Sequence, residues 1–244
     1  MPDVYLPDGP PVKLGGPASY GSYAVTKRIS KLDQTISLTG LKVLDLGCGN
    51  GCYTTELERR GKWTCGLDIQ MSNLRAFRDP IPRVCGVAES LPFASESFDA
   101  VTMIEVLEHT ERDTDALKEC YRVLKTGGLL VLFVPNRLYP MESHPCHIGP
   151  IPIGYNIPFV SWLPPVLRRR ICHARIYRSS QLASMARVAR FQVVSVGYIF
   201  PPLDSFPLPF KRLYRNVSGW VERTPLRVFG VSIFTIFRKE GTST

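Results

Sequence analysis

The sequence predicts an α/β fold, with a mostly parallel seven-stranded sheet between layers of helices. Three observations lead to this prediction. An apolar strand around Val43 runs directly into Asp45 and then three glycines at alternate positions. Apolar strands and helical segments alternate as far as residue 134, which is the order of βαβ units. One of these strands, Leu129–Val134, is apolar throughout, as expected for a strand buried on both faces of a sheet.

The first strand and its turn read Val-Leu-Asp-Leu-Gly-Cys-Gly-Asn-Gly, and a helix is predicted to begin near Cys52. Glycines let the chain turn tightly and let a ligand approach the backbone. Asp45 lies at the carboxyl end of the strand, where open parallel sheets bind ligands. A dinucleotide-binding turn spaces its glycines differently and offers a helix N-terminus to a pyrophosphate. An acid before the glycines instead favours a ligand with an ammonium group.

The second strand ends in Asp68, whose carboxylate can accept hydrogen bonds from a ribose diol. Ile69 is then predicted to pack on an adenine face. The remaining elements follow in order: strands at 62–69, 83–87 and 100–104, a helix at 113–125, the fifth strand, a helix at 178–189, and strands at 191–198 and 231–237. A helix at 20–36 is predicted to lie across the ligand, and the first twenty residues, rich in Pro and Gly, are predicted to be loose.

Several segments together resemble one family: VLDLGCGNG, GLDI, AESLPF, SFDAV, EVLEH and RVLKTGG. They are similar to the class I S-adenosylmethionine-dependent methyltransferases, type 11, the branch with ubiquinone and menaquinone biosynthesis enzymes. The resemblance covers about residues 38–136. It implies a Rossmann-like three-layer sandwich whose last strand is antiparallel and lies between the fifth and sixth strands. The chain is then one domain, 1–244, with a cofactor-binding core at 38–136 and acceptor-side lid insertions at 137–177 and 199–229.

The resemblance implies S-adenosyl-L-methionine as the cofactor. Asp45 and the first two glycines would surround its methionine end, Asp68 would hold the ribose, and Ala88 and Glu89 would flank the adenine. Family members often carry an acid where this chain has Val87, so Glu89 or main-chain groups would have to replace it. The predicted cofactor-binding residues are Asp45, Gly47, Cys48, Gly49, Asp68, Ile69, Ala88, Glu89 and Glu105.

Charge divides the chain into two unlike halves. Residues 1–136 hold 15 Lys and Arg against 17 Asp and Glu, whereas residues 137–244 hold 15 against 4. Two apolar stretches of the second half, 159–170 and 206–215, contain or end in basic residues. This pattern suits an anionic membrane surface, a lipid-linked or phosphorylated acceptor, or a lid that packs on its own core. Nucleic acid is an unlikely partner, because no RNA-binding module is recognisable.

Histidine is the usual general base for a methyl acceptor that must lose a proton. His109 ends the segment after the fourth strand, although a structural hydrogen bond there is the plainer interpretation. His144 and His147 follow the fifth strand, with Glu142 placed to orient one of them. We predict these three histidines as the catalytic candidates, with His144 first.

No metal site is predicted. His144, Cys146, His147, Cys172 and His173 carry zinc-binding atoms, but their spacing is poor and no Cys-x-x-Cys pair is present. The seven cysteines are therefore predicted to be reduced thiols. With no apolar stretch of about twenty residues and no signal-like N-terminus, the predicted location is cytoplasmic, with peripheral membrane contact as one interpretation.

The sequence thus predicts methyl transfer to a small-molecule, lipid or saccharide acceptor, with oxygen favoured and carbon next. One alternative is an RNA or protein methyltransferase that uses the basic second half. Another is a non-catalytic cofactor-binding protein, although the intact Asp45, glycines and Asp68 argue against it. A nicotinamide oxidoreductase would need a different glycine spacing.

Overall fold

The computed structural model describes residues 22–201 and 208–241. Its strands are β1 (Lys42–Leu46), β2 (Trp63–Asp68), β3 (Arg83–Cys85), β4 (Phe98–Ile104), β5 (Leu124–Pro135), β6 (Met141–Glu142), β7 (Cys146–Ile148), β8 (Ile151–Gly154), β9 (Ile157–Pro158), β10 (Phe191–Ile199) and β11 (Ser232–Lys239). Its α-helices are α1 (Ser22–Asp33), α2 (Cys52–Glu58), α3 (Met71–Ala76), α4 (Asp113–Val123), α5 (Pro165–Ile171), α6 (Ser179–Val188) and α7 (Leu208–Val221). Short 3-10 helices lie at Leu107–His109, Val160–Trp162 and Pro225–Phe229.

Seven strands form one sheet in the order β10-β11-β5-β4-β1-β2-β3. The pairs β1–β2, β2–β3, β1–β4 and β4–β5 are parallel. β11 is antiparallel to both of its neighbours, β5 and β10. The predicted fold class is confirmed, including the antiparallel last strand between the fifth and sixth strands of the sheet.

Both faces of this sheet are buried, because neighbouring residues of each central strand enter different clusters. Val43 packs with Leu32 of α1 and Leu57 of α2 on one face. Leu44 packs with Leu117 of α4 and Leu182 of α6 on the other. Helices therefore cover the sheet on two sides and give the three layers, and only the loops at the strand ends are left to build a site.

The first insertion combines short strands with helical turns, and the second is helical where it is described. The first contains two small antiparallel pairs, β6 with β9 and β7 with β8, followed by α5. The second contains α7 and the 3-10 helix at Pro225–Phe229, with residues 202–207 outside the described part. The predicted loose segment likewise falls on residues that the structure does not describe, and α1 begins at Ser22. No helix among the described residues has the length and apolarity to cross a membrane.

A disulfide joins Cys146 to Cys172, so the prediction that all seven cysteines are reduced thiols is wrong for these two. Their Cα atoms lie 4.7 Å apart although 26 positions separate them in sequence. Both residues are fully buried where β7 packs against the end of α5. Because this proximity comes from tertiary packing, the spacing of the cysteines in the sequence gave no sign of it. The free cysteines among the described residues are Cys48, Cys52, Cys65, Cys85 and Cys120.

Candidate functional site

The glycine turn lies between β1 and α2, with each of its glycines at positive φ. A Cβ on Gly47 would meet Val106 Cγ2 at 2.3 Å, so no larger residue fits between β1 and the loop after β4. A Cβ on Gly49, at φ 55°, would meet nothing within 4 Å. Cys48 between them is buried, and burial raises the pKa of its thiol. Val106 therefore packs closely against the turn at Gly47, whereas the backbone at Gly49 is open for a ligand to approach.

Asp45 lies beneath this turn and is 2% exposed. Its carboxylate accepts hydrogen bonds from the hydroxyls of Thr54, at 2.7 Å, and Thr102, at 2.8 Å. Burial raises the pKa of Asp45 to about 6, and the two hydroxyl donors oppose that rise. Asp45 therefore places a buried negative charge, held by helix α2 and strand β4, directly under the glycines.

Asp68 ends β2 and faces the same turn. Its Oδ2 accepts from the Gly49 amide at 2.9 Å, and its Oδ1 accepts from the Gln70 amide at 2.8 Å and from Asn73 Nδ2 at 3.2 Å. The adjacent Ile69 is half-buried, and its carbonyl accepts a hydrogen bond from the Cys85 thiol. A carboxylate has about four lone-pair positions, so the three donors still leave Asp68 able to accept from a ligand hydroxyl.

Ala88 and Glu89 lie in a tight turn after β3, closed by a bridge between Val87 and Ser90. Ala88 packs against the core. The Glu89 carboxylate accepts hydrogen bonds from the backbone amides of Glu111, at 2.6 Å, and Arg112, at 3.3 Å. Because Glu89 is engaged with this loop, the main chain of the turn is the better candidate to contact an adenine ring.

These residues fit a nucleoside ligand with a positively charged end. The open face of Gly49 gives it space, the Asp68 carboxylate borders that space, and buried Asp45 supplies negative charge below. A pyrophosphate would instead meet two carboxylates here, which like-charge repulsion disfavours. The residues present therefore suit S-adenosylmethionine.

Glu105, which follows β4, is a non-glycine residue at φ 56°, a conformation that is held only where surrounding contacts enforce it. Its carboxylate accepts hydrogen bonds from Arg28 Nη2, at 2.8 Å, and from Ser232 Oγ, at 2.6 Å. Burial opposes ionisation of Glu105, but the Arg28 charge and these hydrogen bonds outweigh it and lower its pKa. Glu105 thus ties α1 and β11 to the site, in addition to any contact with the cofactor.

The next turn of the chain brings two of the predicted histidines together. The rings of His109 and His144 meet edge to face with centroids 5.6 Å apart. Glu108 Oε1 lies 3.9 Å from His109 Nε2 and 3.8 Å from His144 Nε2. His144 Nδ1 lies 3.0 Å from Glu142 Oε1, so Glu142 orients this ring as predicted. Both Glu108 carboxylate oxygens are buried without a hydrogen-bond partner among the described residues.

The two rings have opposite electrostatic surroundings. Burial opposes protonation of His144, but the carboxylates of Glu108 and Glu142 outweigh it and raise its pKa to about 9. Burial and the neighbouring His144 charge lower the pKa of His109 to about 4. Burial also raises the pKa of Glu108. One imidazole is therefore kept protonated beside one that is kept neutral.

Glu108, His109 and His144 also carry the atom types that bind metal ions, and these atoms lie within 4.8 Å of one another. This set differs from the Cys and His cluster considered from the sequence, two members of which form the disulfide. That the protein needs no metal stays a prediction.

His147 lies apart from the pair, with its ring centroid 6.5 Å from that of His173. Its Nδ1 is buried without a hydrogen-bond partner among the described residues. Nothing in the described contacts joins His147 to the glycine turn or to His109.

Several site residues escaped the sequence analysis, namely Arg28, Thr54, Thr102, Glu108, Arg168 and Ser232. Arg168 had been grouped with Arg169 and Arg170 as one basic run. It is in fact 4% exposed, and its Nη2 lies 2.6 Å from Glu142 Oε2, while both neighbours are exposed. The helical period was the available signal, since it turns successive residues of α5 to different sides.

Comparison with known proteins agrees with this geometry. A family model described as a methyltransferase domain matches residues 44–132. The ubiquinone biosynthesis O-methyltransferase of Pseudomonas entomophila strain L48 is 34% identical over 188 residues, covering 72% of this chain and 75% of that protein. The mitochondrial enzyme of the same name from Rattus norvegicus is 37% identical over 111 residues, 41% of this chain and 32% of that protein. An S-adenosylmethionine-dependent methyltransferase from Mesorhizobium loti has the same fold, with a TM-score of 0.61 and 18% identity. The match covers 86% of this chain and 96% of that protein.

Proposed function

The chain belongs to the class I S-adenosylmethionine-dependent methyltransferases of the type 11 family, and on this premise we propose that it methylates a hydroxyl oxygen of a small, quinone-related acceptor. One observation carries the proposal. The glycine turn, with Asp45 and Asp68 beside it, lies at the carboxyl ends of β1 and β2. The cluster of Glu108, His109 and His144 lies near the carboxyl end of β4, which is parallel to β1 and pairs with it. A methyl donor bound at the turn and a proton acceptor in the cluster would therefore face the same edge of the sheet.

The cofactor supplies the electrophilic methyl group when it is bound. Around it, Asp68 would accept from the ribose hydroxyls, the open backbone at Gly49 would admit the ligand, and Asp45 would favour its ammonium end. The Val106 side chain, which lies against Gly47, keeps the turn in place. These residues bind and orient, and they hold no proton that the reaction needs to move.

We assign removal of the acceptor proton to His109. Two carboxylates, Glu142 at 3.0 Å from Nδ1 and Glu108 at 3.8 Å from Nε2, keep His144 protonated, so it has no free nitrogen to accept a proton, whereas His109 is kept neutral. The acceptor hydroxyl would lie against the accessible edge of the His109 ring, whose side chain is 23% exposed, whereas that of Glu108 is fully buried. The sequence favoured His144 for this role, and the Glu142 contact supports a positioning role for it instead.

Two measurements test the proposal. Calorimetry should detect S-adenosylmethionine binding to the wild-type protein and to His109→Ala. Methyl transfer from labelled cofactor to catechols and quinols should occur with the wild type and be at least about a hundredfold slower with His109→Ala. Labelled product that forms equally in His109→Ala, or methyl groups found only on nitrogen or carbon, would refute the assignment.

Neither alternative function considered from the sequence gains support, because the relatives that match over most of the chain are named as O-methyltransferases of a small molecule. A cytoplasmic location stays a prediction.

We also propose that the first insertion contacts an anionic membrane surface. Large apolar side chains on it are exposed, among them Ile151 at 62% and Phe159 at 61%. We call the set the insertion patch: Ile148, Ile151, Ile153, Tyr155, Phe159, Trp162, Val166 and Leu167. Arg169 and Arg170 are exposed next to it. Apolar side chains beside basic ones suit an acidic lipid surface, which each basic group favours by about 1 kcal/mol.

Flotation with phosphatidylglycerol vesicles tests this contact. Arg169→Ala/Arg170→Ala should bind fewer vesicles than wild type, and Arg78→Ala/Arg187→Ala, which removes two exposed arginines elsewhere, should bind as wild type does. Equal losses in both variants would indicate attraction by net charge alone and would refute a membrane contact at the insertion.

A further inference from the structure

Arg137 and Arg178 lie next to each other at the acceptor side of the site. Arg137 follows β5 and Arg178 precedes α6, and their neighbours Asn136 and Tyr177 form a parallel bridge. The Arg137 amide donates to the Tyr177 carbonyl at 2.8 Å, which fixes the two stretches together. Residues next to each other across parallel strands direct their side chains to the same face. The two guanidinium groups are therefore held on one side.

This pair has no acidic partner. No carboxylate oxygen within the described ranges comes within 4 Å of either guanidinium, although such pairs occur at Arg28, Arg60 and Arg168. Burial, with the Arg178 and Arg168 charges nearby, lowers the pKa of Arg137. Arg137 is partly buried and Arg178 is exposed, and like charges held side by side repel each other unless an anion neutralises them. The second half holds only four acidic residues beyond position 136, so few carboxylates are available to neutralise its arginines. An anionic ligand would fill that role at this pair.

The position of the pair connects two features described above. Arg137 Nη2 donates to the Leu163 carbonyl at 3.3 Å, next to Trp162 of the insertion patch. The charge of Arg168 is close enough to Arg137 to lower its pKa, and Arg168 pairs with Glu142, which contacts His144. Arg137 thus borders the exposed apolar surface and lies near the ion pair that holds His144.

We infer that Arg137 and Arg178 bind an anionic group, a phosphate or a carboxylate, on an acceptor whose apolar part lies on the insertion patch. This inference rests on the proposed methyl transfer and specifies the class of its acceptor. Guanidinium groups suit the task, since each can donate two parallel hydrogen bonds to such a group. The anion would fix the acceptor's orientation, with its hydroxyl directed toward His109.

Binding of dodecyl phosphate to the full chain tests the inference without needing turnover. Calorimetry in the presence of S-adenosylhomocysteine should show binding to wild type, with affinity falling about tenfold in Arg137→Gln and in Arg178→Gln because a charge-assisted hydrogen bond is lost. Arg187→Gln, an exposed arginine of α6, should bind as wild type does. Dodecylphosphocholine, with the same chain and no net charge, should bind more weakly.

Equal affinity of the wild type and both variants, or equal binding of the two detergents, would overturn the inference. So would loss of flotation on phosphatidylglycerol vesicles in Arg137→Gln with unchanged dodecyl phosphate binding, because the pair would then serve the membrane and not the acceptor. If the wild type binds dodecyl phosphate at these arginines but transfers no methyl group to oxygen, the anion site stands and the proposed reaction fails.

Discussion

The cofactor half of the chain and the acceptor half are built on different principles. Between residues 38 and 136, consecutive strands pair side by side except β3 and β4, and the functional groups lie at or near the carboxyl ends of the parallel strands. Beyond Asn136 the site depends on distant pairs, such as Glu142 with Arg168 and Cys146 with Cys172. The difference teaches that a strand-end motif can place the cofactor-binding residues at one sheet edge, where tertiary contacts such as Thr102 with Asp45 then hold them, whereas the acceptor side has no such motif and is placed by tertiary contacts alone.

The largest expected effect is on turnover when His109 is replaced, because this residue of the cofactor half contacts His144 of the acceptor half. His109→Ala should lower turnover by about 10²–10⁴-fold, the usual contribution of a general base. Cofactor affinity should hardly change, because the glycine turn and Asp68 are untouched. His173→Ala, an exposed histidine, is the control, and steady-state rates with separate calorimetry make the measurement. A parallel fall in cofactor binding would place His109 in the cofactor half instead.

The buried Arg168–Glu142 pair offers a matched test within one helix. Arg168→Met should lower the free energy of unfolding by about 3–5 kcal/mol, because it leaves the Glu142 carboxylate buried without its partner. Arg169→Met, at the next and exposed position, should change it by less than about 0.5 kcal/mol. Urea titration measures both. Equal effects would mean that Arg168 is a surface residue like its neighbours.

The disulfide should stabilise the acceptor half by constraining the unfolded chain. Cys146→Ser/Cys172→Ser should lose about 3 kcal/mol of unfolding free energy, as expected for a loop of this length. Cys52→Ser/Cys85→Ser, which removes two exposed free thiols, should unfold as wild type does. Alkylation of the native, unreduced protein followed by mass analysis is the direct check. Labelling of both Cys146 and Cys172 in that experiment would exclude the bond.

On the cofactor side, Asp68→Ala should weaken S-adenosylmethionine binding by about 2 kcal/mol, roughly thirtyfold, because hydrogen bonds to a charged acceptor are lost. Asp115→Ala, an acid of α4 that pairs with Arg112 and Lys118, should bind the cofactor normally. Thermal unfolding of both variants would show whether the loss of binding comes from loss of fold. Full affinity in Asp68→Ala would remove this residue from the cofactor site.

The smallest effect is a pH dependence that Asp45 should impose. The pKa of Asp45 is about 6 in the folded protein, above the ordinary 3.8. Folding therefore disfavours the ionised carboxylate, and this free-energy cost to the folded state decreases as the pH falls through 6 and the carboxylate is protonated. The same protonation removes the charge that attracts the cofactor's ammonium group. Affinity should therefore fall about tenfold between pH 7 and pH 5. Asp45→Asn should show little of this slope, and an equal slope in both proteins would assign it to another group.

Much of the cofactor half was predictable, because apolar runs, an acid and glycines act over a few residues. The strand ends at Asp45 and Asp68 and the antiparallel β11 agree with expectation. Neither the hydrogen bonds from Thr54 and Thr102 to Asp45 nor the bonds from Arg28 and Ser232 to Glu105 could be read from the sequence. They join residues from different elements, and only the folded chain brings those together.

The acceptor half was less predictable for the same reason. Glu142 was expected to orient either His144 or His147, and in the structure it contacts His144. Arg168 lies opposite Glu142 because α5 packs on the small β pairs. These strands are only two to four residues long, too short for a periodic sequence pattern to predict them. A basic run in sequence thus became one buried ion pair and two exposed charges.

The covalent link between β7 and the end of α5 has a mechanical consequence. It closes the chain from Cys146 to Cys172 into a ring that includes every residue of the insertion patch. Such a ring cannot peel open from one end, so the patch stays joined to Arg168, whose partner Glu142 contacts His144. A membrane contact at the insertion, as proposed above, would therefore be made by a closed loop linked to the residue that orients the imidazole.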